Sequence, residues 1–233
     1  MVVRFVRPNA IRNLFMNSLI WYLLMILAGM LLSIPCFFLD LKEFKKGHRI
    51  IFIILVLVSI VEFYGAYLGK QGIRNHWVYN IGFVYGETVL ILIYLSVVLN
   101  TPKNKKLLRW TALVFGFFGL LNSVFFNPID HFHNYSLTIG SILIIFGCFY
   151  FFYGVMTEDT YLEDNLWQVP DFWVVSFFLL FYSASMLFFT FLYNLIELEV
   201  AMWRRLNFVL RAIGGTMYLV FGLVYYLPVF SKK

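Results

Sequence analysis

Three ionisable residues, Glu62, Glu87 and Arg211, each stand inside a long apolar run. The stretch "NHWVYNIGFVYGETVLILIYL", Asn75 to Leu95, carries Glu87 near its middle. An isolated charge at the centre of a bilayer costs about 2.5–3.5 kcal/mol even on the lenient insertion scales. The two acids and the arginine are therefore expected to face one another inside a helix bundle rather than lipid. Two carboxylates around one guanidinium leave a surplus negative charge. That is chemistry for holding a proton, an ion or a small ligand. The competing reading is an internal ion pair that only fixes helix packing.

Helical spacing widens the set. At about 100° per residue, His76, Asn80, Glu87 and Tyr94 fall within about 60° of one another; Phe83 interrupts this stripe, and Gly82 and Gly86 lie beside it. A second face carries Ser59, Glu62, Gly65, Ala66 and Gly69, and a third carries Arg204, Asn207, Arg211, Gly214, Gly215, Tyr218, Gly222 and Tyr225. A fourth holds Ser176, Ser183, Thr190 and Asn194. Small residues on such faces let helices approach closely. The candidate ligand or proton site is therefore Glu62, Glu87 and Arg211, with Asn80, Asn207, Tyr218, Ser183 and Asn194 around them. At about 1.5 Å per residue, Glu87 lies roughly 15 Å and Arg211 roughly 13 Å from the same end of the bundle, and Glu62 roughly 18 Å from the other.

The elements that must position these residues are membrane helices. Of 233 residues 62% are hydrophobic and 13% charged, against about 25% charged in a soluble domain. A span needs about 20 apolar residues. The sequence predicts an all-α polytopic membrane protein, one seven-helix domain over residues 1–233. The spans are expected at Leu14–Leu39, Ile50–Leu68, Trp77–Leu99, Leu107–Phe126, Tyr135–Met156, Phe172–Ile196 and Met202–Phe230. Pro35 is expected to kink or end the first span, and Pro170 to start the sixth. The roughly ten-residue alternating segments of a transmembrane barrel are absent. Of the 18 Lys and Arg residues, setting Arg211 aside, ten fall on the side of Lys42, Lys103 and Lys232 and seven on the side of Arg4, Lys70 and Arg204. That bias favours a multi-pass protein of the cell membrane, with the C-terminus in the cytoplasm and the N-terminus outside. The candidate site then gathers toward the outside and leaves the cytoplasmic halves of the spans dry. The basic residues flank spans as orientation signals, so the expected partner is the lipid bilayer and not nucleic acid.

Other motifs narrow the chemistry. "NPIDHFHN" offers Asp130, His131 and His133 as metal ligands, but zinc needs three or four arranged ligands, so a polar loop capping a helix is the preferred reading. His48 lies in a basic run and is expected to be solvated. Cys36 and Cys148 read as small apolar core residues. No Lys lies inside a predicted span to carry a retinal Schiff base, and no phosphate loop, H-E-x-x-H or G-x-S-x-G appears. No cofactor is expected, and no catalytic set emerges.

"NHWVYNIGFVYGE", "NTPKNKKLLR" and "VPDFWVVSFFLLFYSASMLFF" resemble the seven-span membrane input region of certain bacterial sensor histidine kinases. Those regions carry a Pro-x-Phe-Trp helix start followed by a Tyr-Ser pair, here Pro170, Phe172, Trp173, Tyr182 and Ser183. They also carry an Asn–Tyr–Asn…Glu pattern, here Asn75, Tyr79, Asn80 and Glu87. The similarity covers about the last two thirds of the chain. In that family a dimerisation helix and kinase would follow where this chain ends, so the expectation is a stand-alone relative or the input region alone. The resemblance implies signal input, here through a separate signalling protein, and carries over no ligand; a small-molecule or proton ligand is the reading of the intramembrane charges. A proton-coupled small-solute transporter is the alternative, and a membrane-embedded enzyme or a purely structural assembly protein the third.

Overall fold

The structure is a computed structural model that describes residues 8–157, 166–190 and 200–230. All regular structure among these residues is helical. Seven helices are long and apolar enough to cross a membrane, so the chain is an all-α, multi-pass membrane protein. They are α1 (Pro8–Ser33), α2 (Lys45–Lys70), α3 (His76–Val98), α4 (Pro102–Phe126), α5 (Asn134–Thr157), α6 (Pro170–Thr190) and α7 (Val200–Leu223).

Prolines punctuate the bundle as expected. α1 stops at Ser33 and Pro35 opens a separate 3-10 turn, Pro35–Phe38. Pro102 and Pro170 stand at helix starts, where a missing N–H leaves nothing unbonded. α2 begins at Lys45, earlier than the apolar run at Ile50, because its basic first turns extend the helix beyond the apolar layer. The last residues of the predicted sixth span, 191–196, lie outside the described residues.

The core is continuous across the helices: Ile54, Ile91, Leu95, Ile144, Val175, Phe178 and Phe221 are all fully buried. Apolar side chains also cover the outside, as on α4, where Leu113, Phe117, Leu120 and Val124 are exposed. That is the all-round apolarity of a lipid-facing helix. α1 and α7 touch backbone to backbone. A Cβ on Gly222 would sit 2.7 Å from Cα of Gly29, and one on Gly29 would sit 2.8 Å from the carbonyl carbon of Tyr218.

Two helices depart from α geometry. α3 passes through a π-helical segment at Asn80–Glu87, and α4 ends in one at Asn122–Phe126. Wide π turns are rare and recur where a helix presents functional groups. Here the longer one ends at Glu87.

Candidate functional site

Glu62, on the middle of α2, is held by two phenols. The Tyr22 hydroxyl of α1 donates to Oε1 at 2.9 Å, and the Tyr79 hydroxyl of α3 donates to Oε2 at 3.2 Å. Gly65, one turn along α2, makes the second bond reachable: a Cβ there would lie 2.8 Å from the Tyr79 hydroxyl. Asn75 secures the start of α3 on the same helix by donating to the Gly65 carbonyl at 2.9 Å. Arg211 of α7 lies within electrostatic reach of Glu62, Tyr22 and Tyr79. Two tyrosines thus frame the Glu62 carboxylate, with Arg211 within electrostatic reach.

Glu87 is fully buried. The Tyr218 hydroxyl of α7 donates to Oε1 at 2.8 Å. Oε2 has no hydrogen-bond partner, and neither does the nearby, equally buried hydroxyl of Tyr182 on α6. The two groups adjoin but fall outside hydrogen-bonding geometry. Glu62 is close enough for the two carboxylates to repel one another. Leaving a buried acceptor unpaired costs about 1–3 kcal/mol, and more when it is charged.

The helical-wheel stripe divides. Asn80 does not reach Glu87; it pins the α4–α5 connection instead. Its Nδ2 donates to the carbonyls of Ile129 at 2.9 Å and His131 at 2.6 Å, and its Oδ1 accepts from the His133 N–H at 3.0 Å. The π turns hold more residues than the α turns the wheel assumes, so residues on either side of them change phase. Around Asn80 the network continues: the Tyr85 hydroxyl meets His133 Nδ1 at 2.8 Å and donates to Ser136 Oγ at 3.0 Å, and Asn122 Nδ2 donates to both oxygens at 3.2 Å. The loop is thus a cap built on α3, α4 and α5. Asp130 and His131 are exposed, and no group of three or more His, Cys, Asp or Glu among the described residues is placed to hold a metal ion.

Of the remaining predicted residues, Asn207 precedes Arg211 by one turn, with its Oδ1 buried and unpartnered. Ser183 is half-buried beside Tyr182 and is not among the groups that bond Glu87. Asn194 lies outside the described residues.

Two expectations need correction at the basic end. His48 is buried, not solvated: α2 has already begun there, and the ring turns inward to Ser33, whose Oγ lies 3.0 Å from Nε2. Nor are the halves of the spans at this end dry. Tyr94 of α3 donates to Asp171 Oδ1 of α6 at 2.7 Å, both groups buried. The Tyr225 ring packs edge-on to His48 at 5.0 Å. Phe178 and Phe221, 4.9 Å apart, stand between this cluster and Glu87: Phe178 touches Tyr94 and Tyr182, and Phe221 touches Tyr218. Asp171 was legible only as part of a helix start, where a carboxylate is favoured by the helix dipole. The i, i+7 spacing of Tyr218 and Tyr225 was the one signal that α7 and the turn after it present phenols to the same side.

Compared with protein-family models, curated proteins and solved structures, the chain matches none. The case for a function rests on the residues themselves.

Proposed function

We propose that the protein is a membrane-embedded, sensor-like module whose input site is Glu87 with Glu62 and Arg211. It would respond to a proton or a small polar ligand and signal through a separate partner protein. The observation that carries this reading is the pair of buried, unpartnered groups, Glu87 Oε2 and the Tyr182 hydroxyl. An acid retained only for packing would have its second oxygen bonded. A proton on Oε2 supplies a donor for Tyr182, and a small donor ligand can bridge the two.

Glu87→Gln tests it. The amide keeps shape and one acceptor but removes the titrating proton. The variant is expected to fold and bind detergent as wild type does. Its thermal stability should lose the part of its pH dependence, or of its response to candidate ligands, that Glu87 supplies. Unfolding with no pH- or ligand-linked change would assign Glu87 to packing, and a variant identical to wild type in both would remove it from function.

The Lys and Arg bias supports an outward site with the C-terminus in the cytoplasm, and the resemblance to bacterial sensor kinases supports a bacterial inner membrane. A Cys at Lys105, with native Cys36 and Cys148 buried, should then stay unlabelled by an impermeant maleimide in intact cells and react after permeabilisation. Labelling of intact cells would invert the topology.

A second reading, proton-coupled transport of a small solute, gains from one observation. The second polar cluster at the basic end places a carboxylate on each side of the Phe178–Phe221 pair. A transporter alternates access to such groups from the two sides.

A further inference from the structure

We infer that Asp171, Tyr94 and Tyr225 form a second proton-exchange site, at the basic end of the bundle, whose ligand is a hydron from the water on that side. The argument is geometric. Asp171 stands in the first turn of α6 and accepts from Tyr94. Its Oδ1 and the Tyr225 hydroxyl each lie 3.3 Å from the point that a Cβ on Gly47 would occupy, as does the ring edge of Tyr94. A carboxylate, a phenol and a second phenol from α6, α3 and the turn after α7 therefore converge where α2 has no side chain.

The Tyr225 hydroxyl is the second observation. The residue is fully buried and this oxygen has no partner in hydrogen-bonding geometry, although the Tyr94 hydroxyl adjoins it. Phenylalanine would fill almost the same volume without leaving a buried hydroxyl unpaired. An oxygen that can donate to a carboxylate and accept from a carboxylic acid suits both protonation states of Asp171. Protonation forms one O–H bond on the carboxylate and releases water from hydronium, and the Tyr225 hydroxyl can then accept from the new acid.

The route to water is short. Asp171 is 6% exposed and lies within electrostatic reach of Glu43, an exposed residue of the α1–α2 connection. The other titratable groups facing the cluster are His48 of α2, against Tyr225, and Cys36 from the turn after α1. The site is separate from Glu87, so its test is independent of that reading.

Infrared difference spectra of the intact protein in lipid nanodiscs, recorded between two pH values, should show the C=O stretch of a carboxylic acid. The band should vanish in Asp171→Asn, persist in Glu87→Gln and shift in frequency in Tyr225→Phe. If Asp171→Asn does not fold, carboxyl-labelled aspartate identifies the band as an aspartate's, and the shift of that labelled band in Tyr225→Phe ties it to Asp171 among the aspartates of the chain. Carboxyl bands that are indifferent to Tyr225→Phe, and that either survive Asp171→Asn or show no aspartate isotope displacement, would overturn the site.

Discussion

Gly222→Ala lowers the thermal midpoint in detergent by about 6–12 °C, while Gly116→Ala leaves it unchanged or raises it slightly. The two substitutions add the same methyl group to two helices. At Gly222 the new carbon would sit 2.7 Å from Cα of Gly29, far inside the roughly 3.5–4.0 Å optimum of a carbon pair. The obstacle is backbone, which no rotamer change can move aside, so α1 and α7 must separate along their whole contact. Overpacking of this kind costs about 3 kcal/mol, and each kcal/mol moves the midpoint of a chain this long by about 2–4 °C. At Gly116 the nearest atom is a Val89 methyl at 3.6 Å, an ordinary contact, so only the better helix propensity of alanine remains. The crossing also positions the site: Gly29 lies against the backbone of Tyr218, whose hydroxyl bonds Glu87. Gly222→Ala should therefore blunt the pH or ligand response as well. A melting curve that does not separate Gly222 from Gly116 would show that the close approach is not required.

The length of the apolar runs made seven helices readable, because crossing a bilayer is a demand on each segment alone. Glu62, Glu87 and Arg211 could be expected from sequence to turn inward, because a charge in lipid is expensive wherever the bundle places it. What could not be read were facts that depend on two elements at once. Tyr22 and Tyr79 bond Glu62 from two helices and Tyr182 adjoins Glu87 from a third, and a tyrosine in an apolar run looks the same whether it faces lipid or an acid. The wheel grouped Asn80 with Glu87 by assuming α geometry, and the π segment between them broke that phase. His48 was hidden by its neighbours: a histidine among lysines reads as solvated, and only the early start of α2 turns it toward Ser33. The inner cluster stayed invisible because Asp171 sits at a helix start, where an acid already has a local reason to be.

Removing Glu62 should be the most damaging single change at the site, and removing Arg211 with it should be less so. Glu62→Ala takes the acceptor from both Tyr22 and Tyr79 and the counter-charge from Arg211. Breaking a buried pair from one side costs about 3–5 kcal/mol, because the other charge is left uncompensated. Glu62 and Arg211 are only half-buried, which places the loss at the low end, about 3 kcal/mol. In the double variant Glu62→Ala with Arg211→Met, the stranded guanidinium is gone and methionine fills its volume. Two phenols without an acceptor are what remains to be offset. The double variant is expected to be more stable than Glu62→Ala alone, with a coupling energy of about 1–3 kcal/mol between the positions. Thermal melts of wild type, the two single variants and the double variant in one detergent close the cycle. Additive losses would mean that Arg211 does not depend on Glu62. The same cycle run with Glu87→Gln in place of Glu62→Ala decides between the two acids: Tyr218, not Arg211, holds Glu87, so that cycle should show little coupling.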